Sequence, residues 1–217
     1  MSVKKKHYII YFMKKILCYG DSNTYGFTPE TCGRYKKNER WSGILSTLLG
    51  TEFEVVEEGM NNRTGFFKNS NGLMQSGSEY LPIVLGKYKK FDICILSLGT
   101  NDLQFFFDLD ENMVEIGLTK LVQILRNSNQ NMQIIIIPPV KIKANIINGM
   151  FVSQFDLNSV KRGEKVFHKY LEFAKKENCF YLDLNEFVTP SEIDGLHYDV
   201  KSHRIIAEKI ANLIKTI

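Results

Sequence analysis

No segment of this sequence approaches the ~18–20 continuous apolar residues that a membrane-spanning helix needs. Cysteine is scarce: Cys18, Cys32, Cys94 and Cys179 are widely scattered, with no Cys-x-x-Cys pair among them. That spacing counts against a thiolate metal cage and against a disulfide framework. Three of the four fall in apolar, strand-like runs, so buried free thiols in a reducing cytoplasm are expected. No G-x-G-x-x-G or Walker A loop follows the first apolar run, which counts against a nucleotide cofactor. There is no H-E-x-x-H to suggest a metal. Without a G-x-S-x-G elbow, an ordinary α/β-hydrolase is set aside. Neither cofactor nor metal is expected.

Acidic residues are missing from the first fifteen positions, which hold Lys4, Lys5, Lys6, Lys14 and Lys15. Removing those five from the 28 basic residues leaves 23 against 24 acidic ones, so the rest of the chain carries −1. A near-neutral body with a basic tail gives little support for nucleic-acid binding. The opening MSVKKKHYIIYF superficially resembles a signal peptide. Its apolar run is short, however, is stopped by Lys14 and Lys15, and leads to no small-residue cleavage site. Met13 opens MKKILCYGDS as a natural start would. Residues 1–12 are therefore expected to be an extension, disordered or produced by an upstream start, and residues 13–217 to form the domain.

What is present reads as one α/β domain. At 217 residues, 44% apolar and 24% charged, the chain can bury a substantial core. Five short apolar or β-branched runs recur: KILCYG (15–20), FEVVEEG (53–59), FDICILSLG (91–99), MQIIIIP (132–138) and CFYLDL (179–184). The second to fourth are mostly continuous rather than alternating, as parallel strands covered on both faces should be. Between them lie stripes with helical period, among them Val114, Leu118, Leu121, Val122 and Leu125. Val166, Phe167, Tyr170, Leu171 and Ala174 make a second stripe, and Ile206, Ile210, Leu213 and Ile217 a third. RWSGILSTLLG (40–50) ends in a glycine suited to a helix C-terminus. Strands alternating with helices predict right-handed crossovers and a doubly wound parallel sheet. Residues 139–159 are irregular yet apolar; a lid, a subunit contact and a short helix packed on the body are equally open.

In such a sheet, ligands bind beyond the carboxyl ends of the strands. Gly20-Asp21-Ser22-Asn23 follows the first run, Gly59 ends the second, and Gly99-Thr100-Asn101-Asp102 follows the third. Asp194 and His197 lie in IDGLHY, ahead of the last helix. A serine hydroxyl needs a base to take its proton, and the base needs a carboxylate to hold its tautomer. His197 can be that base, and Asp194, three residues earlier, is brought beside it by a single turn. The developing oxyanion needs donors, which the Asn101 amide and the backbone N–H groups of Gly59 and Ser22 can supply. Each residue also has a plainer role. Ser22 can cap a helix, Asn101 and Asp102 can cap the turn after the third strand, and His197 can be an ordinary loop histidine. His168, near an apolar stripe, is expected to be structural. His203 is a rival base without a carboxylate at similar spacing, and Asp183 is a rival acid.

These residues, in this order, resemble the GDSL-type esterases of the SGNH hydrolase superfamily. GDS supplies Ser22, EEG supplies Gly59, GTND supplies Asn101, and DGLH supplies His197 with Asp194. The resemblance spans Met13 to Ile217 and implies a flavodoxin-like, three-layer α/β/α sandwich with five parallel strands in the order 2-1-3-4-5. It implies the catalytic residues Ser22, Asp194 and His197 and an oxyanion hole of Ser22, Gly59 and Asn101. RWSGIL, FEVVEEGMNNRTG, LGTND and DGLHY together look like the arylesterase/acyltransferase branch, whose members hydrolyse small esters and in some cases pass the acyl group to alcohols. Asn23 departs from the family's motif, which has leucine there. The expected function is hydrolysis of small acyl esters without a cofactor. The alternatives are a carbohydrate O-acetylesterase using the same residues, or a flavodoxin-like binding module with a vestigial site. The expected partners are a small-molecule ester and further copies of the same chain, and the expected location is the cytoplasm.

Overall fold

The computed structural model describes residues 13–88 and 90–217; the expectation for residues 1–12 lies outside the described residues. Five strands form one all-parallel sheet: β1 (Lys14–Gly20), β2 (Phe53–Gly59), β3 (Ile93–Ser97), β4 (Gln133–Ile137) and β5 (Phe180–Tyr181). Their order is β2-β1-β3-β4-β5, as the resemblance implied. β1 pairs with β2 from Lys14 opposite Phe53 to Gly20 opposite Gly59, and with β3 from Ile16 opposite Ile93 to Gly20 opposite Ser97. The continuous apolar runs have their cause here. Ile16, Leu17, Cys18 and Tyr19 are all fully buried, as are Ile95, Ile135 and Ile136, because helices cover both faces of the central strands. Each such aliphatic side chain contributes roughly 1.5–3 kcal/mol by leaving water.

The helices are α1 (Ser22–Tyr25), α2 (Trp41–Leu49), α3 (Gly77–Lys87), α4 (Glu111–Ser128), α5 (Leu157–Lys176) and α6 (Val200–Ile214). α2 is the crossover to β2 on one side of β1, whereas α3, α4 and α5 serve crossovers in the opposite direction. Right-handed connections therefore place α2 on one face and the other three on the opposite face. Packing agrees: α2 contacts α6, and α4 contacts both α3 and α5. The whole α4 stripe from Val114 to Leu125 is buried. On α5 the buried face runs through Val166, Tyr170, Phe173 and Ala174, so Phe167 and Leu171 sit at its margin. α5 begins with a capping box in which the Asp156 carboxylate accepts from Ser159 N–H at 2.8 Å and Ser159 Oγ accepts from Asp156 N–H at 3.2 Å. α2 stops at Gly50, whose φ of 68° suits a residue without a Cβ. Cys18 and Cys94 are buried free thiols, Cys179 is half-buried, and Cys32 is exposed on a loop.

Chain direction reverses its sideways drift at β1, since the next strand lies on one side and the following one on the other. That switch point puts the loops after β1 and β3 together at one edge. Residues 139–159 come over this edge. They form a short 3-10 turn at Ala144–Asn148 that buries Ile146 fully, then an irregular stretch anchored by the fully buried Phe155, and their last three residues open α5.

Candidate active site

Ser22 owes its position to the residues on either side. The Asp21 carboxylate accepts from Asn23 N–H at 2.9 Å and so caps α1, which makes Ser22 the first helical residue rather than the cap. Its N–H consequently has no partner four residues back inside the helix. Gly20 permits the tight exit from β1, because a Cβ there would lie 2.1 Å from Thr24 Oγ1 and 2.7 Å from the Ser97 carbonyl.

At the far end of the chain, Gly195 takes a φ of 68° and turns the backbone so that Asp194 Oδ1 accepts from both Leu196 N–H and His197 N–H, each at 2.9 Å. This leaves Asp194 Oδ2 for His197 Nδ1 at 2.7 Å, and His197 Nε2 stands 2.8 Å from Ser22 Oγ. The carboxylate can only accept, so Nδ1 carries the ring proton and Nε2 is free to accept from the serine hydroxyl. All three side chains are nearly inaccessible, at 6% for Ser22, 2% for His197 and 1% for Asp194. Burial alone would raise the Asp194 carboxyl. The hydrogen bonds and charge of His197, with the two backbone N–H groups, outweigh it and hold the carboxyl below its ordinary range. Asn23 ties the two ends together: its amide donates to Leu196 C=O and accepts from Tyr198 N–H, both at 3.2 Å, bracketing His197. The rings of Phe27 and Phe151 lie 4.3 and 5.2 Å from the imidazole.

The third component follows β3. Asn101 opens a short 3-10 turn and donates from Nδ2 to Arg63 C=O at 3.0 Å, leaving the second amide proton unused by that bond. Asp102 is fully buried and accepts from Gly65, Phe66 and Phe67 N–H at 2.6, 2.8 and 3.1 Å, which draws the loop after β2 against Asn101. Burial pushes its carboxyl up to about 6, the three N–H donors working the other way. In that loop Arg63 N–H bonds Met60 C=O at 3.3 Å across a turn whose third residue, Asn62, has a φ of 61°. Such a turn demands positive φ there, which asparagine tolerates, and its bond leaves the Asn62 N–H for other acceptors. Ser22, His197, Asn61, Asn62, Asn101 and Gln154 give the polar lining of a cavity of about 90 Å³. Phe27, Phe151, Phe155 and Leu196 give its apolar wall.

The model of the GDSL-like lipase/acylhydrolase family matches residues 18–205, which take in every one of these groups. The chain belongs to that family. As a GDSL-like acylhydrolase it is an ester-hydrolysing enzyme. Among solved structures, the native aryl esterase of M. smegmatis is similar at 24% identity and a TM-score of 0.84, over 94% of this chain and 99% of that one. A carbohydrate acetylesterase family member from Sinorhizobium meliloti is 26% identical, with a TM-score of 0.84 over 94% and 98% of the two chains. A further solved structure reaches 31% identity and a TM-score of 0.87 over 94% and 98%. No curated protein matches the sequence.

Within this GDSL-like hydrolase the remaining candidates fall elsewhere. Asp183 is occupied locally, accepting from Asn185 N–H at 2.9 Å, and does not reach His197. His203 is buried between α2 and α6, where Nδ1 accepts from Trp41 N–H at 3.3 Å; burial drives its pKa down to about 3. His168, expected to be structural, lies exposed on α5, 3.6 Å from Glu111. Gly59 is not among the residues that line the cavity. A Cβ on it would lie 2.2 Å from Tyr25 N and 2.5 Å from Thr24 C, so its glycine lets the α1 backbone rest on β2. The residues of that segment which reach the cavity are Asn61 and Asn62. Residues 139–159 supply Phe151, Gln154 and Phe155 to the lining, while Ile147, Met150 and Val152 stay exposed.

Proposed function

We propose that the chain is a serine esterase for short acyl groups, with Ser22 as nucleophile, His197 as general base and acid, and Asp194 orienting His197. The observation that carries this reading is the unbroken chain from Asp194 Oδ2 to His197 Nδ1 at 2.7 Å and from His197 Nε2 to Ser22 Oγ at 2.8 Å. Ser22 Oγ attacks the ester carbonyl carbon as its proton passes to His197 Nε2. The carbonyl oxygen becomes an oxyanion, stabilised by the Ser22 N–H, the second Asn101 amide proton and the Asn62 N–H, which takes the place expected for Gly59. His197 returns the proton to the departing alkoxide, leaving an acyl group on Ser22. Water, deprotonated by His197, then attacks the acyl carbon, and the carboxylic acid leaves as Ser22 recovers its proton. An alcohol in place of that water would give acyl transfer.

A cavity of about 90 Å³ walled by Phe27, Phe151 and Phe155 suits an acetyl-sized acyl group rather than a fatty chain. A second reading, deacetylation of sugars, is favoured by the amides of Asn61, Asn62 and Gln154 on the polar side, which can meet hydroxyl groups. The test is turnover of 4-nitrophenyl acetate by wild type and Ser22→Ala, with folding checked by circular dichroism. Loss of turnover in the variant supports the nucleophile assignment, and equal rates in the two proteins refute it. Acetylated sugars run against aryl acetates then separate the two substrate readings.

A further inference from the structure

The amide orientations around Asn101 can be derived in sequence. Arg63 C=O can only accept, so the Asn101 group 3.0 Å from it must be the NH2. Asn101 Oδ1 is thereby turned the other way, and it needs a donor. Gln104 Nε2 stands there at 3.1 Å, and the same nitrogen lies 2.7 Å from Asn62 Oδ1 and 3.0 Å from Gln154 Oε1. One buried amide, on a residue only 1% exposed, thus faces three side-chain oxygens belonging to three separate segments. Two of those segments carry donors for the oxyanion and the third is the cavity wall. Gln104 itself is held firmly. Arg162 Nη1 donates to its carbonyl at 3.2 Å, and the next residue, Phe105, donates its N–H to Gln154 C=O at 2.9 Å.

We propose that Gln104 is a positioning residue that sets the oxyanion hole, an inference resting on the esterase reading above. It holds Asn101 with its free amide proton toward the oxyanion and keeps the Asn62 turn in register with it. With no donor at position 104, Asn101 Oδ1 has no partner on that side and the amide is held only by its bond to Arg63 C=O. Gln104 itself touches no reacting atom. Its contribution therefore belongs to the transition state and not to substrate binding.

Gln104→Met removes the donor at nearly constant volume, and Gln104→Glu replaces it with an acceptor at nearly constant shape. For each, kcat and KM for 4-nitrophenyl acetate are measured with the inhibition constant of a short alkylboronic acid, which forms a tetrahedral adduct on Ser22. Removing an oxyanion donor outright costs ~10²–10³ in kcat, so loosening one is expected to cost about tenfold or more and less than Asn101→Ala. KM should hold, and boronate affinity should fall in step with kcat/KM. A folded variant with wild-type kcat and boronate affinity, or a loss confined to KM, overturns the proposal. If the methionine variant does not fold, the glutamate variant is read in the same way. Ser22-dependent turnover in the wild type separates the two ideas. Its absence sinks the esterase reading, and its presence beside unaffected Gln104 variants sinks this inference alone.

Discussion

Replacing Asp194 by asparagine is a sharp test, because the backbone dictates how the new amide must lie. Asp194 Oδ1 accepts two N–H groups, from Leu196 and His197, each at 2.9 Å. An asparagine keeps both bonds only by placing its oxygen there, since an NH2 would oppose two donors. Its nitrogen then faces His197 Nδ1, which must become an acceptor. The ring proton moves to Nε2 and points at Ser22 Oγ, so the imidazole can no longer take the serine's proton. The same exchange in a serine–histidine–aspartate triad on another fold lowers kcat about 10⁴-fold, equivalent to ~5.4 kcal/mol at 1.36 kcal/mol per decade. A fall of that order in kcat/KM for 4-nitrophenyl acetate is expected here, with Tm little changed because the turn keeps its bonds. A folded Asp194→Asn protein within tenfold of wild type would refute the argument and send the search for the acid elsewhere.

Gly59→Ala should lower Tm, with a stability loss of ~1–3 kcal/mol, because its Cβ would press on backbone atoms of α1. It should also lower kcat through the displaced Ser22, and an unchanged melt would refute the close packing assigned to Gly59. Glu57 governs an acid limb. Burial would raise its carboxyl, but the hydrogen bond and charge of Arg40, with the Ser42 hydroxyl, hold it below 4.5. A carboxyl depressed on folding stabilises above its unfolded pKa, and that stability is lost as pH falls through the folded value. Glu57→Gln should therefore be less stable at neutral pH and lose less on acidification, as urea melts between about pH 7 and pH 3 would reveal. Parallel stability curves for the two proteins would refute the linkage.

Much of the sheet was legible because burial on both faces writes itself as continuous apolar runs in β1, β3 and β4, and β1 to β4 fall within one or two residues of theirs, although β2 buries only Val56. β5 keeps only Phe180 and Tyr181 from a run of six, the two residues that pair with Ile135 and Ile136 of β4. α3 escaped notice because Gly77, Pro82 and Gly86 interrupt its period, although Leu81, Val84 and Leu85 are buried. In the site, Asp194 and His197 could be paired from three-residue spacing alone. The turn holding Asn62 could not be found that way, because positive φ at an asparagine leaves no periodic trace. Gln104 was invisible for another reason: its partners Asn62 and Gln154 lie 42 and 50 residues away. No spacing rule brings three amides together, whereas the folded loops do.

Asn23, the departure from the family motif, bears on the half of the cycle in which the nucleophile is blocked. On the proposed reading, once Ser22 Oγ carries the acyl group it has no proton to give, and the 2.8 Å link that orients His197 from that side disappears. The grip of Asn23 on Leu196 C=O and Tyr198 N–H makes no use of that hydroxyl. The imidazole is thus clamped by its own scaffold through the neighbours on each side of it. On that same reading it waits for water in the same place whether the serine is free or occupied, so deacylation would start with its base already aimed.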